Sequence, residues 1–218
     1  GRGREAERHF RAVLEIDPDC PASRCWLALA LFLQWRFEEA EAAVEAALEL
    51  SDVPADAHVV QGALRERRGD FEGAEASFAA AHERSPDKHP LPVRLDRKEF
   101  DREVRKAANR LPRQFRQALD RVPVVVCDVP DAELVDGGDR DELAPDMLGL
   151  FEGTPLPETG EADEADWKPN RIFLFQRNLE RVAYDRDDLI EQIRITLWHE
   201  LGHYLGFEED EMDDLGLA

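Results

Sequence analysis

Residues 3–87 repeat with a period of 34, which sharply limits the architectures open to this part of the chain. Small and aromatic residues recur in one register: Ala6, Phe10 and Val13, then Ala40, Val44 and Ala47, then Ala74, Phe78 and Ala81. Spacings of four and seven residues place such side chains on one stripe of a helix, which must pack against a neighbour. The pattern therefore predicts stacked helical units, because one such unit cannot bury its stripe alone.

This period and register resemble the tetratricopeptide repeat. The resemblance implies antiparallel helical hairpins, in which Ala28 and Gly62 occupy the small position where two helices cross closely. The first copy contains only its second helix, which gives about two and a half repeats. We expect either further repeats upstream of Gly1 or a short stack that leans on a second domain. The resemblance implies a groove that binds a protein partner, and the alternative is that the repeats serve as a spacer or cap.

Three prolines interrupt the helical periodicity between Pro86 and Leu95, as in a linker. We therefore divide the chain into a helical domain at residues 1–88, a linker at residues 89–95 and a second domain at residues 96–218.

The second domain mixes helical and strand patterns, which predicts a small α/β or α+β fold. Apolar residues from Phe100 to Leu111 indicate an amphipathic helix that stops before Pro112, and a shorter helix follows through Phe115 and Leu119. The run from Val122 to Val129 predicts a central strand. Two more strands are predicted: a shorter strand or an edge strand with a bulge at residues 147–156, and a strand at residues 171–175. A last helix is predicted from a cap at Asp185 to Gly206.

The charge of the chain excludes some classes of partner. Lys and Arg number 28 against 49 Asp and Glu, a formal net charge of −21. Nucleic acids and anionic membranes require a basic surface, so we expect neither as a partner. No apolar run approaches the roughly 20 residues that span a bilayer. Three cysteines (Cys20, Cys25 and Cys127) do not form a disulfide framework, which favours a reducing compartment and a cytoplasmic location. The oligomeric state stays open.

The last predicted helix contains the sequence HExxH, formed by His199, Glu200 and His203. Four residues are just over one helical turn, so both imidazoles project from one face and can bind one Zn²⁺ ion. Glu200 is rotated about 100° from His199, which places its carboxylate beside the metal, where it can act as a general base towards water. The pattern favours a metal site over a surface helix with two incidental histidines.

A catalytic zinc ion normally has three protein ligands. Gly206 ends the helix, and the longer string HExxHxxGxxE reaches Glu209 at the spacing of metzincins. Glu209 is therefore our candidate third ligand, with Glu208 and Asp210 as alternatives. Met212 is expected to pack on a final short helix.

Residues from about Phe100 to Leu217 resemble a family of minimal zincin-like metallopeptidases. The resemblance is carried by RVPVVVCDVP at 121–130, LGLFEGTPLP at 148–157, NRIFLFQ at 170–176 and ITLWHELGHYLGFEEDEMDDLGL at 195–217. It implies a small mixed sheet crossed by the active-site helix, a zinc ion held by His199 and His203, and Glu200 as general base. Glu209 matches the position of the family's acidic third ligand. The sequence PETGEADEAD replaces the basic residue that the family tends to place after its Pro-Leu dipeptide, which affects the expected substrate preference.

The leading hypothesis is a zinc-dependent metallopeptidase that cleaves a protein or peptide substrate, with the repeats recruiting or positioning it. The strand at residues 147–156 is our candidate edge for pairing with the substrate. Tyr184 and Tyr204 are candidates to stabilise an oxyanion, although packing roles are the alternative for both. The alternative function is a non-catalytic protein-binding scaffold with a metal-stabilised or inactive zincin domain. A third hypothesis is a hydrolase that acts on a non-peptide amide.

Overall fold

The computed structural model describes residues 2–135, 143–156, 169–207 and 211–212, which fall into two compact units. The first unit comprises Gly1–Leu91 and Val129–Asp146, and the second comprises Pro92–Asp128 and Met147–Ala218. The predicted fold class is confirmed, because helical repeats are followed by a small mixed sheet with helices. None of the helices in the described part of the chain is long and apolar enough to cross a membrane.

The first unit is built from helical hairpins. Its helices are α1 (Arg2–Ile16), α2 (Pro21–Phe32), α3 (Phe37–Leu48), α4 (Ala55–Arg67) and α5 (Phe71–Arg84). The hairpins α2–α3 and α4–α5 begin 34 residues apart at both helices, at Pro21 and Ala55 and at Phe37 and Phe71. The period read from the sequence is therefore the period of the structure.

The repeated small and aromatic residues form the interior of this unit. Ala40, Val44, Ala74 and Phe78 are all buried. A Cβ atom built on Gly62 would lie 2.5 Å from the ring of Phe78, so a residue without a side chain is needed where α4 and α5 cross. This confirms the predicted close approach at the small position.

A second segment, Val129–Asp146, belongs to the first unit although it lies in the sequence between two strands of the second. The Trp35 indole donates a hydrogen bond of 2.7 Å to the Leu143 carbonyl. The Arg67 guanidinium lies 4.0 Å from the ring centroid of Phe37, close to where Val129 enters this unit. Sequence periodicity does not reveal this placement, because the segment has neither a repeat nor a helical stripe.

The second unit combines three strands with four helices among its described residues. The helices are α6 (Arg97–Arg110), α7 (Arg113–Leu119), α8 (Gln176–Val182) and α9 (Arg186–Leu205), and the strands are β1 (Val124–Cys127), β2 (Gly149–Glu152) and β3 (Arg171–Phe175). The strand order is β1-β3-β2. The sheet is mixed as predicted, because β1 pairs parallel and β2 antiparallel with β3.

One strand prediction was wrong. The run from Val122 to Val129 was expected to be a central strand, but only Val124–Cys127 forms a strand, and among the described strands it lies at an edge of the sheet. The centre belongs to β3, four of whose five residues are buried, whereas the residues of β1 are only half-buried. The prediction of a short or edge strand at residues 147–156 is confirmed by β2, which has four residues and is the outer strand on its side of the described sheet, whereas the predicted bulge stays a prediction.

Helices α6 and α9 supply much of the apolar core of this unit. Their inward side chains include Phe100, Val104, Leu189, Ile193 and Leu197.

A buried carboxylate on α8 fixes the start of the unit. Glu180 is fully buried, accepts hydrogen bonds from the Leu95 amide and the Gln176 side chain, and forms a 2.9 Å ion pair with Arg94. This contact ties residues 93–95 to α8.

Candidate metal centre

Helix α9 has clear signals at both ends. The Asp185 carboxylate accepts a hydrogen bond of 2.9 Å from the Asp188 amide, and acidic residues occupy the first turn, where the helix dipole favours them. Gly206 ends the helix in the left-handed conformation at φ 83°, which glycine adopts without strain. The helix is therefore held in place on both sides of the HExxH sequence, as predicted.

His199 and His203 come together on one face of α9. Their Nε2 atoms are 3.1 Å apart, and the rings are nearly perpendicular with centroids 4.7 Å apart. Two nitrogen ligands about 2.0–2.1 Å from a tetrahedral zinc ion would be about 3.3 Å from each other. The observed spacing is close to that value, so the two imidazoles fit a shared zinc ion.

Glu200 points to a different side of the helix, towards β2. Its side chain is 7% exposed. A Cβ atom built on Gly149 would lie 2.8 Å from Glu200 Oε1 and 2.7 Å from Thr196 Cγ2. Only glycine at this strand position allows the carboxylate to occupy its present place. Gly149 was not predicted as a functional residue, and the signal for it in the sequence was a glycine within the predicted strand at residues 147–156.

Gly202, inside the HExxH sequence, allows a second close approach. A Cβ atom on Gly202 would lie 2.5 Å from Met212 Sδ, and Met212 is fully buried. The prediction that Met212 is a packing residue is confirmed. Its thioether packs against the helix turn that carries His203, and this explains why a glycine follows Leu201.

The third ligand lies outside the described residues. The candidate Glu209 and its alternatives Glu208 and Asp210 all fall in residues 208–210, which the structure does not describe. Within the described ranges, no group of three His, Cys, Asp or Glu side chains is arranged to hold a metal ion. The described part of the site thus consists of two imidazoles and the neighbouring carboxylate.

The two tyrosines differ in their surroundings. Tyr204 is buried, and its ring centroid lies 5.7 Å from that of Phe151 on β2, which is a packing role. Tyr184 is 79% exposed, so the alternative that it is a packing residue in the core is wrong.

Comparison with known families adds to this geometry. Residues 119–217 match the family described as zincin-like metallopeptidase. Residues 1–52 and 36–89 match the tetratricopeptide repeat. No curated protein is similar enough to the chain to count as a match. The two family matches confirm the arrangement that the sequence predicts, a zincin-like metallopeptidase domain preceded by tetratricopeptide repeats.

Proposed function

We propose that the protein is a zinc-dependent metallopeptidase that hydrolyses peptide bonds of a protein or peptide substrate. The observation that carries the proposal is the 3.1 Å approach of His199 Nε2 and His203 Nε2 on a capped helix, with the Glu200 carboxylate on the next position. The family match over residues 119–217 supports the same chemistry. Glu209 is the proposed third ligand.

A zinc ion, when bound, supplies a water of lowered pKa and polarises the carbonyl under attack. Glu200 then acts as the general base, taking a proton from the attacking water at a carboxylate oxygen and passing it to the leaving amine. The contact with Gly149 holds this carboxylate in one place, which orients it for proton transfer. Burial of Glu200 excludes bulk water from one side of the carboxylate.

Strand β2 offers a place for an extended substrate. Among the described residues it pairs with β3 alone, and its other edge is our proposed place for a further strand. A peptide that pairs with this edge lies beside Glu200, because Gly149 touches that side chain. The substrate backbone is thereby aligned without any requirement on its sequence.

The direct test is the variant Glu200→Gln, measured for zinc content and for hydrolysis of a peptide library with and without chelator. We expect zinc to be retained and hydrolysis to be lost, because Gln keeps the shape of the side chain but does not accept a proton. Asp187→Asn is the matched control, since Asp187 is an exposed acid on the same helix. Full hydrolysis by the Glu200→Gln variant would remove the general-base assignment.

We propose further that the repeats recruit or position the substrate. A groove of about 970 Å³ in the first unit is lined by Asp56, His58, Arg84 and Lys88 among others, and can contact a polar segment. Arg84→Glu reverses a charge in this groove, so it should raise the apparent KM for a protein substrate and leave turnover of short peptides unchanged. An unchanged KM for every protein substrate would favour a structural role for the repeats.

A further inference from the structure

An apolar cavity of about 90 Å³ lies against α9, and its lining includes Trp198 and Gly202, which directly precede His199 and His203 in the sequence. Its walls include the rings of Phe115, Trp198 and Phe207, together with Leu205 and the bare backbone of Gly202. None of its lining residues in the described part of the chain is charged. A cavity with such walls favours an apolar occupant, because burial of carbon against carbon is favourable and an unpaired polar group there is costly.

The position of this cavity follows from the helix. Residues four apart lie on the same face of a helix, and we call each such pair a row. Trp198 and Gly202 directly precede His199 and His203, so their row is rotated by about 100° around the helix axis from the row of the two histidines. Glu200 forms the next row on the opposite side of the histidines, where it meets Gly149 of β2. The histidine row is thus flanked by the edge strand on one side and by the cavity on the other.

Distances along a bound chain are compatible with this layout. Two rows 100° apart on a helix of about 10 Å diameter are separated by roughly 8 Å. An extended peptide covers about 3.3–3.6 Å per residue. A peptide whose reacting carbonyl lies at the histidines therefore brings a side chain to the cavity within one or two residues of the cleaved bond.

The size and chemistry of the cavity limit what can occupy it. A cavity of about 150 Å³ holds a benzene ring, so the smaller volume here fits a branched aliphatic side chain better than an aromatic one. The indole N–H of Trp198 is buried and donates to no acceptor among the described residues. A peptide can supply a carbonyl acceptor near Trp198 together with an apolar side chain, and a hydrocarbon cannot.

We propose that this cavity binds a leucine-sized aliphatic side chain of the substrate, one or two residues from the cleaved bond. The inference rests on the proposed peptidase function and deepens it, because it names the substrate class: peptides with an aliphatic residue beside the cleavage site. Phe115, Trp198 and Leu205 are then the residues that determine specificity.

The first test measures binding in the absence of catalysis. The full chain, labelled with ¹⁵N-tryptophan, is titrated with N-acetyl-leucinamide and with N-acetyl-asparaginamide, which has nearly the same shape and is polar. Loss of one indole resonance in Trp198→Phe assigns the Trp198 signal. We expect the leucine compound to shift this resonance and the asparagine compound to leave it in place. Equal shifts with both compounds, or none with either, would overturn the inference.

Two variants sharpen this titration. Leu205→Phe enlarges a side chain that lines the cavity, which should leave no room for the compound and abolish the shift of the Trp198 resonance. Val182→Phe is the control, because it also introduces a phenylalanine, at a position on α8 that is 47% exposed. This variant should keep the leucine-induced shift of the Trp198 resonance. A shift that persists in Leu205→Phe would show that the compound binds elsewhere and would overturn the inference.

The second test uses peptides that vary at the positions flanking the cleaved bond. We expect leucine to be preferred over alanine at one of them by about tenfold to a hundredfold in kcat/KM. Phe115→Ala enlarges the cavity and should move the preference towards phenylalanine. Hydrolysis without any aliphatic preference would overturn this inference and leave the proposed function intact. A leucine-specific shift of Trp198 without hydrolysis of any peptide would instead support the cavity and contradict the proposed function.

Discussion

Gly149 on β2 and Glu200 on α9 are in such close contact that a single methyl group on Gly149 would stand 2.8 Å from the Glu200 carboxylate oxygen. The edge strand and the proposed general base are therefore positioned by each other. This relationship joins the two parts of the proposed mechanism, substrate alignment by β2 and proton transfer by Glu200.

Gly149→Ala should lower kcat/KM for a cleaved peptide by about a hundredfold, because displacement of a catalytic group by about 1 Å has an effect of that size. Zinc binding should be retained, since the three atoms nearest to the new methyl group belong to Glu200 and Thr196, which are not the proposed ligands. Peptide hydrolysis and zinc content, measured on the same preparation, check both parts.

Gly69→Ala is the control for this substitution. Gly69 has φ 75° and no atom within contact of an added Cβ, so alanine there strains the backbone without touching the site. The Gly69→Ala variant should have a lower free energy of unfolding than the wild type and the same rate of peptide hydrolysis. Equal activity of the Gly149→Ala variant and the wild type would contradict the proposed role of the contact.

The third metal ligand can be identified by single substitutions at three neighbouring positions. Glu209→Ala should weaken zinc binding by at least about tenfold, because a catalytic site of this kind has three protein ligands. Glu208→Ala and Asp210→Ala should bind zinc as the wild type does. Competition with a chelator of known affinity measures the zinc affinity of all three variants. If only Glu208→Ala or only Asp210→Ala loses zinc affinity, that residue is the third ligand instead of Glu209.

Glu180 is expected to be a major contributor to the stability of the second unit. The fully buried carboxylate accepts hydrogen bonds from the Leu95 amide and Gln176 and pairs with Arg94. Glu180→Gln removes the charge from a buried ion pair and should lower the free energy of unfolding by about 3 kcal/mol. Urea denaturation of the full chain measures the change.

An exposed ion pair provides the comparison for Glu180. Glu99 of α6 lies 3.2 Å from Arg102 and 3.4 Å from Arg186, and both arginines are about half exposed, so Glu99→Gln should change the free energy of unfolding by less than about 1 kcal/mol. A similar small effect of Glu180→Gln would mean that the buried contact does not fix residues 93–95.

The cysteines of the repeats should differ strongly in reactivity. Burial raises the pKa of the Cys25 thiol to about 12, whereas a hydrogen bond with the Ser23 side chain chiefly lowers the pKa of Cys20. The thiolate is the reactive form, so iodoacetamide at pH 8 should alkylate Cys20 first and Cys25 only after unfolding. Peptide mass spectrometry over time gives the two rates. Equal rates in the folded protein would contradict the burial of Cys25.

Strong local signals in the sequence predicted the elements that matter most. The period of 34 places both helical hairpins, and the signals at Asp185 and Gly206 define α9. These signals are local, because they depend on the spacing of residues in one helix or its caps. The pairing of His199 with His203 is equally local, since one helical turn separates them.

Features that depend on distant contacts were not predictable in this way. Helix α8 contains buried polar residues such as Gln176 and Glu180, whose sequence pattern resembles that of a surface segment. The edge position of β1 depends on which strand β3 accepts as a neighbour. The contact of Gly149 with Glu200 joins residues 51 positions apart in sequence, and only the folded sheet brings them together.

The central claim is that His199 and His203 bind zinc, and elemental mass spectrometry of protein purified without a chelator or an immobilised-metal step tests it most directly. We predict about one zinc ion per chain in the wild type and its loss in His203→Ala. A protein that contains no metal, and takes none up from micromolar zinc, would contradict the account.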